Sequence, residues 1–587
     1  MKSSILKSRR RTNSRQALAL LLTMMLASTS MLVSVKAADG DLDPAFGTAG
    51  KLTTDFGSLE AGTAVAVQSD GKIVAVGLGI DSNGNGVLAL ARYNTTGVLD
   101  STFGSGGKVV TDFVTSNLPI PNNFIPHFDV AIQNDDKIVV AGAYGAPGAP
   151  TDFGVERFNT NGDPDPTFGT DGRVTTDFLG FTDGANSVAI QSDGKIVVAG
   201  MAQDPVLVSQ FALARYDTSG NLDLGFGAGG KVMTTFAGFG DFGSAVAIQS
   251  DGKICVAGTV ETGNARSDFG LARYDASGNL DGTFGSGGKV TTDFSDRDEA
   301  SSIAIQPSDG KIIVAGSVIG ASIICSCFDF ALARYNTDGS LDPAFGAGGK
   351  VTTDFFNLGD YANDLVIQGD GKIVVAGWVN PDASDIEQIR DFGVARYDTS
   401  GNLDPTFGNG GKVVTDFGAV EEAAGLAIRQ DCKIVVAGYT ANFATGNFDF
   451  ALAGYDSGGC VVQQPHKCPL SQGYWKNHAA SWPVNNLTLG NQSYTKPELL
   501  AILNNSTQTD SSVILARQLI AAKINIANGS DPAPVSATIT HADGLLSSYA
   551  GKVPYKVKSS SVIGQAMTAD AVVLESYNLG LTPGCTP

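Results

Sequence analysis

The residues best placed to do chemistry in this chain are oxygen donors spaced along turns. Asp81-Ser82-Asn83-Gly84-Asn85-Gly86 sets Asp81, Asn83 and Asn85 at alternating positions, the opening pattern of a calcium-binding loop. The twelfth position of such a loop should carry a bidentate acid, and here it is Arg92. Asp217-Thr218-Ser219-Gly220-Asn221-Leu222-Asp223 and its equivalents at 275–281, 336–342 and 398–404 repeat the alternation. Asx residues beside Gly also build turns without any ion. These segments are therefore calcium ligands or plain turns.

Acid–base and nucleophilic chemistry has less to draw on. The histidines are His127, His466, His478 and His541. His127 sits in an insert rich in Pro and Asn (residues 114–128), and is either an exposed loop residue or one side of a ligand site. No nucleophile elbow, phosphate loop or paired-histidine zinc motif is present, and His466 with His478 fits no zinc-knuckle spacing. The sequence thus names no catalytic residue, and calls for no cofactor beyond the calcium candidates. Tyr474, Trp475 and Trp482 cluster closely enough to stack on a sugar, or to form a core. Two charged series recur: Arg92, Arg157, Arg215, Arg273, Arg334 and Arg396; and Asp55, Asp112, Asp177, Asp293, Asp354 and Asp416. They are either a ring of ligand-binding charges or Arg–carboxylate pairs joining strands or adjacent sheets. Recurrence in nearly every copy favours the architectural role.

What positions these groups is a repeat. Phe-Gly recurs at Phe46, Phe103, Phe168, Phe226, Phe284, Phe345 and Phe407, spaced by 57, 65, 58, 58, 61 and 62 residues. The Asp of an Asp-Gly-Lys turn recurs at Asp70, Asp135, Asp193, Asp251, Asp309, Asp370 and Asp431. Both markers give seven copies. In the third copy, Ser187–Gln191 alternates, Ser192-Asp193-Gly194 turns, and Lys195–Gly200 is almost continuously apolar. Phe211–Tyr216 alternates again, and Lys231–Phe236 is rich in β-branched residues. Four antiparallel strands repeated seven times predict an all-β seven-bladed propeller, because one such sheet cannot cover both of its own faces. Leu222 and Phe226 should plug the gap between neighbouring blades. The first piece is a lone fourth strand at 51–56, and the last copy stops after its third strand at Tyr455. Residues 51–56 should therefore pair with residues 449–455 and close the ring.

The strings Leu403-Asp-Pro-Thr-Phe-Gly-Asn-Gly-Gly-Lys-Val413, Gln368-Gly-Asp-Gly-Lys-Ile-Val-Val-Ala-Gly377 and Asp391-Phe-Gly-Val-Ala-Arg-Tyr397 resemble the delta-60 repeat family of bacterial secreted or surface proteins. The resemblance covers about residues 41–457. It implies a propeller and export, and carries no catalytic residue with it. Departures are Asp136 and Cys432 at the turn glycine, and Gly454 where other copies have Arg.

Bulk properties agree. Lys and Arg are outnumbered 39 to 59 by Asp and Glu, for a net charge of −20, which opposes nucleic acid or an anionic membrane as partner. Residues 1–37 have the basic, apolar and small-residue order of a signal peptide, with an apolar run too short to span a bilayer. The mature chain should carry no transmembrane helix and should be secreted, surface-bound or periplasmic. The propeller should occupy residues 38–457, and a linker with a small mainly α-helical domain residues 458–587. Helices are predicted from Lys496, from an Asp510 cap through Ala527, and over 536–549 and 561–578. Ser471-Gln-Gly-Tyr-Trp-Lys-Asn-His478 is similar to a segment at the ends of many bacterial secreted proteins, with no known activity. Export favours oxidised cysteines. A Cys468–Cys585 bridge is expected, with Cys460 as the alternative partner, and Cys255 should be a buried free thiol. Three functions fit: a non-catalytic platform for a protein or glycan at the cell surface, a hydrolase or lyase with its site at the channel mouth, or a structural envelope protein.

Overall fold

The computed structural model describes residues 38–579 apart from 58, 82–83, 117–126, 146–148, 237–239, 264–265, 321–326, 383–388, 443–445, 459–468, 506–508, 529 and 531–534. The expected signal peptide, Asn83, Cys460, Cys468, Cys585 and His466 lie outside these residues.

Seven four-stranded antiparallel sheets follow one another along the chain. Blade 3 shows why. Its strands are Asp183–Ile190, Ile196–Gln203, Ser209–Tyr216 and Lys231–Thr234. Ile196, Val197, Val198 and Ala199 are all 0% exposed, because a neighbouring blade covers each face of this second strand. That double burial is what its unbroken apolar run requires. The first strand is bulged between Ala185 and Ser187. The first strands of blades 1, 4, 5, 6 and 7 shift at the same place, whereas Phe128–Ile132 of blade 2 pairs without a shift. Gly200 faces the bulge, where an added Cβ would lie 1.9 Å from the Gly184 carbonyl oxygen.

The first strands form the innermost circle, each beside the next and the seventh beside the first. Closure is as expected: Lys51–Thr54 pairs with Asn447–Tyr455, placing Lys51 opposite Ala453 and Thr54 opposite Phe450. Residues from the two ends of the repeat region therefore share one blade, and the sheet stack has no bare end.

Between blades lie the seven plug phenylalanines, Phe46 to Phe407, all 0% exposed. Each contributes about 1.5–3 kcal/mol of burial. A hydroxyl clasp adds to every seam but one: Tyr216 donates to Thr176 Oγ1 of the preceding blade at 2.8 Å, and Tyr93, Tyr274, Tyr335, Tyr397 and Tyr455 repeat the bond. Where Asp136 and Cys432 replace the turn glycine, they hold φ of 61° and 68°. The copies keep the turn and bear its strain.

Five α-helices follow among the described residues: α1 (Gln472–Asn477), α2 (Lys496–Asn504), α3 (Ser511–Ala527), α4 (Ser536–Ser547) and α5 (Val562–Asn578). The last four match the expected helices. Helix α1 and a hairpin of Asn486–Leu489 with Gln492–Thr495 are additional. Asp510 caps α3 by accepting from Ser512 N at 3.0 Å, and it also accepts from the Lys556 and Val557 amides. Helix α3 is the module's centre, with Leu515, Ala516, Leu519, Ile520 and Ile524 fully buried. No helix among the described residues is long and apolar enough to cross a membrane.

Candidate functional site: the blade seams and the inner ring

The recurring arginines are architectural, but their partner is not the fourth-strand aspartate. Arg157 Nε meets Asp165 Oδ2 at 2.8 Å, and Arg396 Nε meets Asp404 Oδ2 at 2.9 Å. These aspartates stand in the plug turn, eight residues after the arginine. The other guanidinium arm crosses the seam: Arg157 Nη1 donates to Thr218 O at 2.7 Å and Arg396 Nη1 to Ser457 O at 2.6 Å. The guanidinium also lies over the plug ring, 4.4 Å from the centroid in the Arg215–Phe226 pair. One side chain thus ties strand, plug and next blade together. The lysine of the Asp-Gly-Lys turn joins it, as in Lys137–Asp165 at 3.1 Å. The last blade swaps its parts. Gly454 replaces the arginine, and Arg429 and Lys433 pair with the plug aspartate Asp43 instead, at 3.5 and 2.7 Å.

Burial alone would raise the carboxyl of Asp165. Hydrogen bonds from the Thr167 hydroxyl and amide and from Lys137, with the charge of Arg157, outweigh it and hold the group at about 2. Asp404 is held at about 2 by Thr406, Lys372 and Arg396 in the same way, again against burial. A depressed carboxyl contributes stability above its unfolded value near 4, and that contribution disappears as pH falls through the folded value. The urea midpoint should therefore be flat with respect to these groups above pH 5, and should drop between about pH 4 and pH 2. A midpoint unchanged over that window would contradict the pairing.

At the inner circle, the bulged residue of one blade donates to the next. Asn186 Nδ2 reaches Gly243 O at 2.8 Å, Ser301 Oγ reaches Ala362 O at 2.8 Å, and Asn363 Nδ2 reaches Ala423 O at 2.7 Å. The following position holds Ala64, Asp129, Ser187, Ala245, Ser302, Asp364 and Gly425 in the seven blades. Asp129 Oδ2 accepts from Val188 N at 2.8 Å, and Asp364 Oδ2 from Leu426 N at 2.7 Å. Burial pushes the Asp364 carboxyl up to about 7, with the charge of Asp129 across the ring adding to the shift. His127 stands two residues before Asp129 and is exposed, and burial of its surroundings lowers its pKa while the Asp129 charge and the Asn186 backbone work the other way. Asp129 and Asp364 belong to one polar inner circle, a convergence that their spacing in the chain conceals. Both carboxylates already spend their oxygens on backbone amides (Asp129 on Val130 and Val188, Asp364 on Leu365 and Leu426).

The turn candidates for calcium are occupied by their own chain. Asp81 accepts from Asn85 N at 2.8 Å and from Asn85 Nδ2 at 2.9 Å. Asp217 accepts from Ser219 and Asn221 amides, an Asx turn that needs no ion. In the helical module, Trp475 is 1% and Trp482 7% exposed. Trp475 Nε1 donates to Asn525 Oδ1 and Trp482 Nε1 to Trp475 O, each at 2.8 Å. Two of the three aromatics are thus core, because each indole finds its polar partner inside. Tyr474 is half-buried and stacks on His478 at 4.2 Å. His541 pairs with Asp570 at 2.9 Å, and Cys255 is a free buried thiol.

The fourth-strand aspartates do something else. Asp55, Asp177, Asp293, Asp354 and Asp416 each face two further carboxylates. Six segments of the chain (68–103, 133–168, 191–226, 249–284, 308–345 and 368–407) match the model described as "Domain of unknown function (DUF5122) beta-propeller". The match is to a family of repeat β-propellers. Each segment runs from the turn before the second strand to the plug phenylalanine, and the seventh such unit is divided between Arg429–Tyr455 and the stretch ending at Phe46. No curated protein matches the sequence. Similar solved structures include a protein of unknown function from Dyadobacter fermentans, at 12% identity and TM-score 0.35 over 71% of this chain and 100% of that one. The β-propeller domain of the Trilobed protease from Pyrococcus furiosus gives 12% and 0.35 over 68% and 96%. A putative oxidoreductase (glucose dehydrogenase) from Thermus thermophilus gives 13% and 0.32 over 56% and 94%.

Proposed function

We propose that the protein is an exported, non-catalytic binding scaffold of the delta-60 repeat kind. The propeller is the interaction platform, and the helical module attaches it to a partner. The observation that carries this reading is the outward side of α5, where Val562, Val572 and Val573 are 88, 57 and 46% exposed among Gln565, Glu575 and Ser576, with Leu579 just past its end at 50%. Exposed valines on a helix rimmed by polar residues are what a protein partner covers. A glycan is the less suited occupant of this module, because the Trp475 and Trp482 ring faces are inside the core. Within the propeller, the recurring guanidiniums and plug carboxylates are committed to the seams. Asp129 and Asp364 each accept from backbone amides, which fixes them in the inner circle. The hydrolase or lyase reading would draw on His127 and these carboxylates.

The mature chain should be tested against arrays of envelope proteins and glycans, with the bound material recovered and analysed for chemical change. We expect retention of a protein ligand, unaltered, and at least tenfold weaker retention by Val572→Lys/Val573→Lys. Turnover of any arrayed compound that His127→Ala abolishes would overturn the reading. A Cys468–Cys585 bridge belongs to the same proposal, and peptide mapping without reductant would reveal it.

A further inference from the structure

Among the described residues, five of the seven seams gather three carboxylates from the ends of three strands. The groups are Asp152, Asp177 and Asp183; Asp268, Asp293 and Asp298; Asp329, Asp354 and Asp360; Asp391, Asp416 and Glu421; and Asp449, Asp55 and Glu60. In each, the first acid lies within the first three residues of a third strand, the second directly follows the fourth strand of that blade, and the third stands at the start of the first strand of the next blade. Oxygens of the three acids lie within 4.8 Å of one another. Among the described residues, no acid of the first four groups is ion-paired to a basic side chain. The nearby lysines turn to backbone instead: Lys231 Nζ donates to Asp177 O at 2.9 Å and Lys412 Nζ to Asp354 O at 2.9 Å.

In three of these groups the acid at the bottom is the telling one. Asp183, Asp360 and Glu421 are 0% exposed. One oxygen is used: Asp183 Oδ2 accepts from Phe178 N at 2.7 Å, Asp360 Oδ2 from Phe355 N at 2.6 Å, and Glu421 Oε1 from Ala419 N at 2.7 Å. The other oxygen of each, Asp183 Oδ1, Asp360 Oδ1 and Glu421 Oε2, is buried with no hydrogen-bond partner. A buried carboxylate oxygen without a partner is costly, and here two more carboxylates stand beside it.

We propose that each of the three seams holding Asp183, Asp360 and Glu421 binds one hard divalent cation, calcium in an exported protein, held by a carboxylate from each of three chain segments. Calcium takes oxygen ligands at about 2.3–2.6 Å, so ligands on opposite sides of one ion can be about 5 Å apart, and the observed spacing lets all three acids reach a single ion. No nitrogen or sulfur donor takes part, which disfavours zinc or copper. The second acid gives access, since Asp177 and Asp416 are exposed. The ion joins the outer strands of one blade to the inner strand of the next, so it works as a seam staple. At the seam from blade 3 to blade 4, Gln210, Thr235 and Asp241 stand in the three places: Asp241 Oδ1 is also buried without a hydrogen-bond partner, but no group of three acids forms there among the described residues. This inference does not depend on what the platform binds.

The test uses the full mature chain, freed of metal by chelator and dialysed against CaCl₂, with bound calcium counted by elemental analysis and titration calorimetry. Three ions per chain are expected, with dissociation constants on the order of 10⁻⁴–10⁻³ M as in extracellular modules, and the melting temperature should rise with calcium. Asp177→Asn and Asp416→Asn change solvent-facing acids that should not affect folding, which circular dichroism verifies. Each should remove one ion, and the pair two. Asp217→Asn, in an Asx turn, should still bind three. Absence of bound calcium in the folded parent, or three ions retained by the double variant, would overturn the proposal.

Discussion

Removing residues 38–60 from the mature chain should lower the melting temperature by roughly 10 °C or more, and should leave the protein prone to association. The segment supplies the fourth strand of blade 7 through Lys51–Thr54. It also supplies Phe46, which packs with Val65, Ala75, Tyr93, Val435 and Leu452 across the closing seam. Gly40 N donates to Asp456 O at 2.7 Å, and Asp39 pairs with Arg396 at 2.7 Å. Phe46→Ala alone should cost about 3–5 kcal/mol, which for a domain of a few hundred residues moves the midpoint by about 2–4 °C per kcal/mol. The truncation loses that packing together with the ladder, and it bares the edge of Asn447–Tyr455. A truncated chain that melts with the parent would mean the ring is closed by something other than this strand.

The ring and its closure were legible because both follow from counting. Two motifs recur seven times, and the unpaired fourth strand at one end matches the missing one at the other. Helices α2 to α5 were legible from caps and period, since Thr495 with Glu498, and Asp510, carry the capping chemistry in their side chains. Helix α1 was not, because Gln472–Asn477 is only 6 residues long and contains Gly473, too short for any period to show. The hairpin at 486–495 has four-residue strands whose alternation covers barely two turns of the pattern.

The site was less legible, for a reason specific to repeats. The plug aspartate recurs in all seven copies and the fourth-strand aspartate in six, so recurrence could not say which one the arginine meets. The answer depends on strand register, which puts the plug aspartate eight residues along within reach and sends the fourth-strand aspartate to the opposite rim. A signal for the acid groups did exist. Asp152 to Asp177, Asp268 to Asp293, Asp329 to Asp354 and Asp391 to Asp416 are each 25 residues apart, and the third acid follows 5 or 6 later. The polar inner circle of Asp129 and Asp364 left a fainter trace, because its members stand in different copies and only the closed circle brings them together.

Arg396→Ala should be the most damaging single substitution among the seam arginines, at about 3–5 kcal/mol. Its side chain is 0% exposed, and it binds Asp404, Ser457 O, Thr406 Oγ1 at 3.1 Å and Asp39 at once. Asp39 and Ser457 stand at opposite ends of the propeller sequence, so this guanidinium ties the closing blade at both edges. Truncation would leave the Asp404 carboxylate, 7% exposed, with only Lys372 at 3.0 Å and the Thr406 amide and hydroxyl as partners beside the Phe407 ring. Arg396→Lys should lose most of the same stability, because a single ammonium cannot reach the carboxylates and the carbonyl together. In Arg396→Ala/Asp404→Ala the stranded charge is gone, so the double variant should be less destabilised than the two single costs added together. Urea unfolding of the four proteins measures this directly. A cost below about 1 kcal/mol for Arg396→Ala, the range of an exposed pair, would mean the seam is held by its apolar plug alone.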